Sequence, residues 1–374
     1  MNNKSTLPIA EPALHRKKSI VLAAGGTGGH LFPALALAEE FENADIDVHL
    51  ITDLRCKKYL PAKQQIKPHI FDFHLKMTGL ANKVISLWRL SNVCIKTLLL
   101  IGRLKPDIII GFGGYTSFPS LLAATVLRIP FIVQEQNCFL GKSNRLFAKS
   151  ARIIALSYKE TSNVSIYDNR KVVITGDLVR SSIRNLPIKN TFDNEEFRLF
   201  IFGGSQGAKV FSQIIPEAIT ELLKLNPGLK IHITQQVSQE DQKKLSTIYC
   251  QLGIKYLLSP FFHNMAEIYS ETDLVISRSG ASTVAELANV GIPAIFIPFP
   301  YAMEDHQYFN AMAIENSKAG WCFRQEDVTA HILAQKIYEL VANRTMLKEA
   351  SKNLLNRKNN GAKYLADTVL KIIE

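Results

Sequence analysis

Short runs of consecutive apolar, often β-branched residues recur along the chain, separated by longer segments of helical length. SIVLAA (19–24), DVHLIT (47–52), PDIIIGF (106–112) and PFIVQEQ (130–136) make one series. FRLFIFGG (197–204), KIHITQQ (230–236), DLVISRSG (273–280) and PAIFIPF (293–299) make a second. Strands this continuously apolar suit a parallel sheet covered on both faces, rather than one with a wet face. Alternating strand and helix then predicts an α/β chain of two doubly wound domains. The polar, proline-bearing stretch SSIRNLPIKNTFDNEE (181–196) predicts the hinge. The expected division is 1–181, 182–349, and a helical tail 350–374 that could return to the first domain.

The two series share their punctuation. The first strand of each runs into a glycine loop, GGTGG (25–29) and GGSQG (203–207), and a later strand does the same in GFGGYTSFP (111–119) and SRSGASTVAE (277–286). Ligands of open α/β sheets bind beyond the carboxyl ends of the strands. Two such domains facing each other aim all four loops into one cleft. Glycine lets backbone approach an anion, and the N–H groups of a helix start attract negative charge. GGTGGH lacks the Lys-Ser/Thr ending of a phosphate loop, and Leu31 stands where a dinucleotide fingerprint needs glycine. Asp53 alone keeps an oxidoreductase reading open, as an acid for a ribose.

The chain has 374 residues, 44 basic and 33 acidic, for a formal charge of +11. That balance points to a polyanionic partner: nucleic acid, an anionic membrane or a phosphorylated substrate. Five scattered cysteines with no CxxC pair argue against a disulfide framework and against zinc. No signal peptide is read at the polar, basic N-terminus, and no uninterrupted spanning stretch; Leu80 to Leu104 comes nearest, broken by Lys83, Arg89, Lys96 and Arg103. From 55 to 105 there are eleven Lys/Arg and one acid. Leu80, Val84, Leu87 and Trp88 recur there at helical spacing among Lys83 and Arg89. This is either the core face of an amphipathic helix with a solvated basic side or a patch for anionic lipid. Nucleic acid fits less well, because leucine stands where stacking aromatics are needed.

Candidate chemistry gathers at the loops. His30 is titratable near neutral pH and sits at the mouth of the first glycine loop. Ser205 could add a hydroxyl donor for a diphosphate. Ser282 and Thr283 can cap a helix or donate to phosphate. Glu286, about one turn further, can accept both hydroxyls of a ribose or serve as a capping-box acid. His306 and Gln307, in EDHQYFNA, stand at a strand end. The Asp45–Asp47 pair matches a metal-binding DxD signature or a solvated turn.

Five motifs in order, GGTGGHLFPALALAEE, GFGGYTSFPSLLAA, QEQNCFLGKSNRLFAK, GGSQGA and SRSGASTVAEL, resemble the MurG family of bacterial N-acetylglucosaminyltransferases, over roughly 18–370. The resemblance implies a GT-B fold, two Rossmann-like domains facing across a cleft. It implies transfer of N-acetylglucosamine from UDP-N-acetylglucosamine to the C4 hydroxyl of undecaprenyl-diphosphoryl-N-acetylmuramyl-pentapeptide, with inversion and without cofactor or metal. It also implies a peripheral place on the cytoplasmic side of the plasma membrane, which favours anionic lipid as partner of the basic apolar segment. By matching motif, Thr27, Gly28 and Gly29 face the sugar and diphosphate. Asn137 and Gln307 contact the sugar, Arg180 and Ser205 lie near the diphosphate, and Phe262 meets the uracil through its backbone. Ala281, Ser282, Thr283, Val284, Ala285 and Glu286 hold the diphosphate and ribose, with Glu286 on the ribose hydroxyls. The chain departs from the family at Asp177-Leu178, where Asn-Pro is common, and at His306, where some members have glutamine.

An inverting transfer needs a base for the acceptor hydroxyl and charge stabilisation for departing UDP. His30 is the first candidate base and Glu135 the second. A UDP-sugar epimerase of the same fold and a non-catalytic nucleotide-sugar binder at the membrane are the competing readings.

Overall fold

The computed structural model describes residues 16–60, 66–72, 80–167, 169–189, 191–204 and 209–374, with backbone only for 80–84. Among them, β1 (Lys18–Ala23), β2 (Ile46–Asp53), β3 (Ile66–Phe71), β4 (Ile108–Gly111), β5 (Phe131–Glu135), β6 (Ile153–Leu156) and β7 (Val172–Ile174) form one sheet. β8 (Phe197–Phe202), β9 (Ile231–Gln236), β10 (Lys255–Ser259), β11 (Leu274–Ser277), β12 (Ala294–Phe296) and β13 (Trp321–Cys322) form a second. The helices of the first half are α1 (Gly28–Glu39), α2 (Leu80–Leu104), α3 (Gly114–Leu127) and α4 (Lys142–Ala148), and the short α5 (Ser181–Arg184) joins the second domain's core through Ile183. The second half adds α6 (Lys209–Leu225), α7 (Gln239–Gln251), α8 (Met265–Glu271), α9 (Ala281–Val290), α10 (His306–Asn316), α11 (Ala330–Ala342), α12 (Arg344–Leu355) and α13 (Gly361–Ile373).

The strand orders are β3-β2-β1-β4-β5-β6-β7 and β10-β9-β8-β11-β12-β13, and every pairing is parallel. Both are doubly wound, with the order reversing beside β1 and beside β8, so each sheet opens a crevice at the carboxyl ends of its central strands. The strands are buried almost end to end; Ile20, Val21 and Leu22 of β1 and Leu274, Val275 and Ile276 of β11 are fully enclosed. That explains the unalternating apolar runs.

The chain crosses from the second domain back to the first at its end. α12 packs beside α9, whereas Leu365, Ala366, Val369 and Ile373 of α13 join Ile20, Leu22 and Ala34 in the first domain's core. The return passes Asp177, whose carbonyl lies so close to Gly361 that a Cβ there would be 2.5 Å away. Asp177 itself is buried, and burial pushes its carboxyl up to about 7 against the opposing pull of Arg357. An unfolded aspartate titrates near ~3.9. Between those values the folded chain holds a proton that the unfolded chain has released, so stability falls as pH rises through this window and levels off above it. Asp177→Asn keeps the shape and removes the titration. Its urea midpoint at pH 8 should rise above that of the parent, and the fall between about pH 4 and 7 should flatten; an unchanged pH profile would refute this.

α2 runs along the first domain. Ile85–Leu104 has the length and hydropathy of a membrane-spanning segment, although its sequence suggests too many interruptions. Val93, Thr97 and Ile101 are nonetheless buried in the domain and the helix lies against α3, so only one side faces outward. Asp45 and Asp47 stand at the amino end of β2, away from the cleft, where Lys17 (3.1 and 3.4 Å) and Lys67 (3.0 Å to Asp47) neutralise them.

Candidate active site

The cleft is closed on both flanks by contacts between the domains. On one, Arg145 of α4 pairs with Glu304 (2.6 Å) and Phe139 stacks on Phe309 (6.5 Å between centroids). On the other, Glu39 accepts the Ser181 N–H (2.7 Å), and Tyr59 meets Phe261 (5.6 Å).

Inside, α1 begins at Thr27, which has an extended backbone and makes no side-chain cap; its carbonyl takes the N–H groups of His30 (3.3 Å) and Leu31 (3.2 Å), so the Gly28 and Gly29 N–H groups precede the first helical bonds. Gly28 has no room for a side chain, since a Cβ would lie 2.8 Å from the Phe32 ring. His30 Nδ1 is 2.8 Å from Gln136 Oε1. The Gln136 amide nitrogen donates to the carbonyls of Phe112 (3.0 Å) and Gln134 (3.2 Å), which fixes its oxygen as the acceptor toward His30. Nδ1 therefore carries a proton, and in the neutral ring the lone pair is on Nε2. The ring lies against Gly113 and Gly114, at φ +84° and +69°; a Cβ on Gly114 would sit 3.1 Å from His30 Cδ2. Only glycine combines that backbone with that approach.

Glu135, the second candidate base, is held by other groups. It is 3% exposed. Oε1 accepts the N–H groups of Gln136 and Asn137 (3.1 Å each) and Asn137 Nδ2 (2.9 Å); Oε2 accepts the Gly141 N–H and Asn144 Nδ2 (2.9 Å each). Five donors saturate the carboxylate, leaving nothing for a hydroxyl proton. Its task is to hold the 136–144 loop.

Asn137 is clamped from both domains, because Asn310 Nδ2 donates to its Oδ1 (3.1 Å). Asn310, fully buried on α10, also donates to the Ser279 carbonyl (3.1 Å) and accepts the Cys138 N–H (3.0 Å). Gln307, on the same helix, spends its oxygen on the Phe299 N–H (3.0 Å), which leaves its NH₂ for a ligand. His306 Nδ1 donates to the Met303 carbonyl (2.7 Å). Burial lowers its pKa, against the opposing pull of the Met303 carbonyl.

α9 presents an uncapped start at Gly280, so the N–H groups of Ala281, Ser282 and Thr283 precede the first helical bond, from Val284 to Gly280. The side chains of Val284 and Ala285 belong to the second domain's core. Glu286 is 7% exposed and meets Arg180 Nη2 (2.8 Å) through Oε1 and the Tyr269 hydroxyl (3.1 Å) through Oε2. Burial works against the Arg180 cation, but Glu286, Tyr269 and Glu39 more than offset it and raise its pKa. The Phe262 ring stacks edge-on against Phe200 (5.6 Å), leaving its backbone for the cleft. Ser205 lies outside the described residues. Asp53 is absorbed locally, accepting from Gly26, Arg55, Cys56 and the Tyr115 hydroxyl.

Sequence reasoning passed over Gln136, Asn310 and Tyr269. Gln136 alternates with Gln134 at a strand end, and Asn310 follows Gln307 by three residues on one helix face, so both left a periodic trace. Tyr269 left none.

Comparison with known proteins gives a consistent result. The glycosyltransferase family 28 N-terminal domain matches residues 20–156 and the glycosyltransferase family 28 C-terminal domain matches 198–369. A curated Rickettsia bellii (strain RML369-C) protein, named UDP-N-acetylglucosamine--N-acetylmuramyl-(pentapeptide) pyrophosphoryl-undecaprenol N-acetylglucosamine transferase, is 48% identical over 359 residues, covering 95% of this chain and all of the relative. A Rickettsia felis (strain ATCC VR-1525 / URRWXCal2) protein of the same name is 46% identical over 364 residues, with the same coverage. The crystal structure of Acinetobacter baumannii MurG superposes with a TM-score of 0.75 at 28% identity, covering 95% of this chain and 99% of that one. A Neisseria meningitidis UDP-GlcNAc 2-epimerase bound to UDP-GlcNAc shares the fold, with a TM-score of 0.66 at 15% identity, covering 94% of this chain and all of that one.

Proposed function

Because the chain belongs to glycosyltransferase family 28, we propose that it transfers N-acetylglucosamine from UDP-N-acetylglucosamine to the C4 hydroxyl of undecaprenyl-diphosphoryl-N-acetylmuramyl-pentapeptide, a step of peptidoglycan synthesis. The curated relatives carry the name of this reaction. The observation that carries the chemistry is His30, whose Nδ1 is held by Gln136 so that the neutral ring has its lone pair on Nε2.

Nε2 takes the C4 hydroxyl proton as the oxygen attacks the anomeric carbon. The carbon–oxygen bond to the diphosphate breaks on the opposite face, UDP leaves with the electron pair, and the configuration inverts. The first-turn N–H groups of α9 and the Arg180 guanidinium are suited to the growing diphosphate charge. The test supplies UDP-N-acetylglucosamine with and without the lipid-linked muramyl acceptor. UDP release that depends on the acceptor supports the proposal. Isomerised sugar without acceptor, or binding without turnover, overturns it in favour of an epimerase or a sensor.

The same reading includes attachment to anionic lipid on the cytoplasmic face of the plasma membrane. It is supported by α2, where Leu87 (66% exposed), Trp88 (67%), Ile95 and Leu99 stand outward in a segment rich in Lys and Arg, with Arg89 beside them. Side chains of Leu80, Lys83 and Val84 are outside the described residues. Burying one large apolar side chain is worth about 1.5–3 kcal/mol. Leu87→Asp with Trp88→Asp should therefore weaken sedimentation with anionic vesicles at least roughly tenfold, while turnover of a short-chain soluble acceptor stays normal. Unchanged vesicle binding would remove this face from the proposal.

A further inference from the structure

We propose that Arg180 makes recognition of the ribose conditional on the diphosphate, because its guanidinium holds Glu286 until a phosphate takes the guanidinium over. The proposal rests on the glycosyltransferase reading and assigns to the Arg180–Glu286 pair a selectivity for nucleoside diphosphates over nucleosides.

Glu286 is the buried acid at the cleft end of α9, where a carboxylate can receive ribose hydroxyls. Neither of its oxygens is idle. Tyr269, wholly buried, donates to Oε2 from the core side; Arg180, with 24% of its side chain exposed, covers Oε1 from the cleft side. A ribose entering from the cleft meets the guanidinium first. Arg180 is not at rest in this position. Its Nε is buried without a hydrogen-bond partner, and one face of the guanidinium lies 4.3 Å from the Phe32 ring centroid, which supplies attraction but no acceptor.

The anion-binding start of α9 is near enough to accept the transfer. Ala281 precedes Glu286 by five residues, about 7.5 Å along the axis, within the arc of a guanidinium pivoting on its stem. Diphosphate oxygens at that helix start would satisfy Nε and replace the lost carboxylate charge. Glu286 is then released to the ribose. A nucleoside without phosphates has nothing to offer Arg180. It must separate the pair and leave a half-buried cation with only Glu39 as a remaining counter-charge, which is the costly way to break such a pair. Arg180 is in this sense a specificity residue acting through Glu286.

The prediction is positive coupling between two halves of one ligand. In the full-length protein, uridine binding is measured by calorimetry with and without saturating inorganic pyrophosphate. Pyrophosphate should tighten uridine binding about tenfold, a coupling of ordinary size. Arg180→Met should bind uridine more tightly than the parent does without pyrophosphate, bind UDP more weakly, and lose the coupling. If Arg180→Met does not fold, the coupling in the parent decides alone. Zero or negative coupling, the latter expected if the two negative groups merely repel, overturns the proposal. So does an Arg180→Met protein whose uridine affinity is unchanged or weaker. Failure of the parent to bind UDP at all would overturn this proposal and the donor assignment together, whereas UDP binding without coupling leaves the donor assignment standing.

Discussion

His30→Ala should lower kcat by roughly 10²–10⁴-fold, the usual worth of a positioned general base, with UDP affinity nearly unchanged. The two effects separate because the groups reside on different domains. His30 lies on α1 of the first domain, while Glu286, Arg180 and the α9 helix start sit on the other side of the cleft or at the hinge. His30→Gln is a harder test, because its amide can still bond Gln136 but cannot take a proton at the Nε2 position. It should be as slow as the alanine variant. Added imidazole should restore part of the rate in His30→Ala, where the side chain leaves a space against Gly113 and Gly114. Gln136→Leu should fall between parent and His30→Ala, because the ring remains but its tautomer is no longer selected. Near-parental turnover in His30→Ala, measured as acceptor-dependent UDP release, would end the base assignment.

The second large effect is on folding. Glu135→Ala should lower unfolding free energy by about 3–5 kcal/mol, read from urea denaturation. Five donors converge on this carboxylate, and three are main-chain N–H groups, that of Gln136 buried and those of Asn137 and Gly141 half-buried. Each buried donor left without an acceptor costs about 1–3 kcal/mol, and partial relaxation of the loop keeps the total below their sum. Glu135→Gln should also be destabilised, because its NH₂ must confront a donor whichever way it turns: Asn137 and Gln136 on one side, Gly141 and Asn144 on the other. A base would behave in the opposite way, with Glu135→Gln stable but inactive. That outcome would return Glu135 to the chemistry.

The fold was written in the hydrophobic pattern because both sheets are parallel and buried. Burial on both faces demands uninterrupted apolar runs, and β1, β4, β5, β8, β11 and β12 all carry one. Short edge elements are weaker: β3, in IKPHIF, contains a proline and a lysine, and β7 has three residues. The glycine loops were legible as positions because backbone conformation restricts which residue fits. The roles of polar residues were less legible. Glu135 and His30 both look like acid–base groups in sequence, and only the number of donors around each distinguishes them. Asn310 could be noticed for its helical phase, yet its bonds reach residues 31 and 173 positions away, which no local pattern encodes. α2 is the converse case. Its composition suits a bilayer, and what marks it as a surface helix is the packing of Val93, Thr97 and Ile101.

The last helix has a consequence for how the molecule is made. α13 supplies Leu365, Val369 and Ile373 to a core begun by Ile20 and Leu22, so the first domain is finished by a helix that follows the whole second domain. During synthesis, at about 5–20 residues per second, the nascent first domain waits on the order of ten seconds for its missing wall while the second domain emerges and folds. Over that interval the strip of its core that α13 covers is open. The side of α1 that α13 covers is thereby closed only after the second domain has emerged.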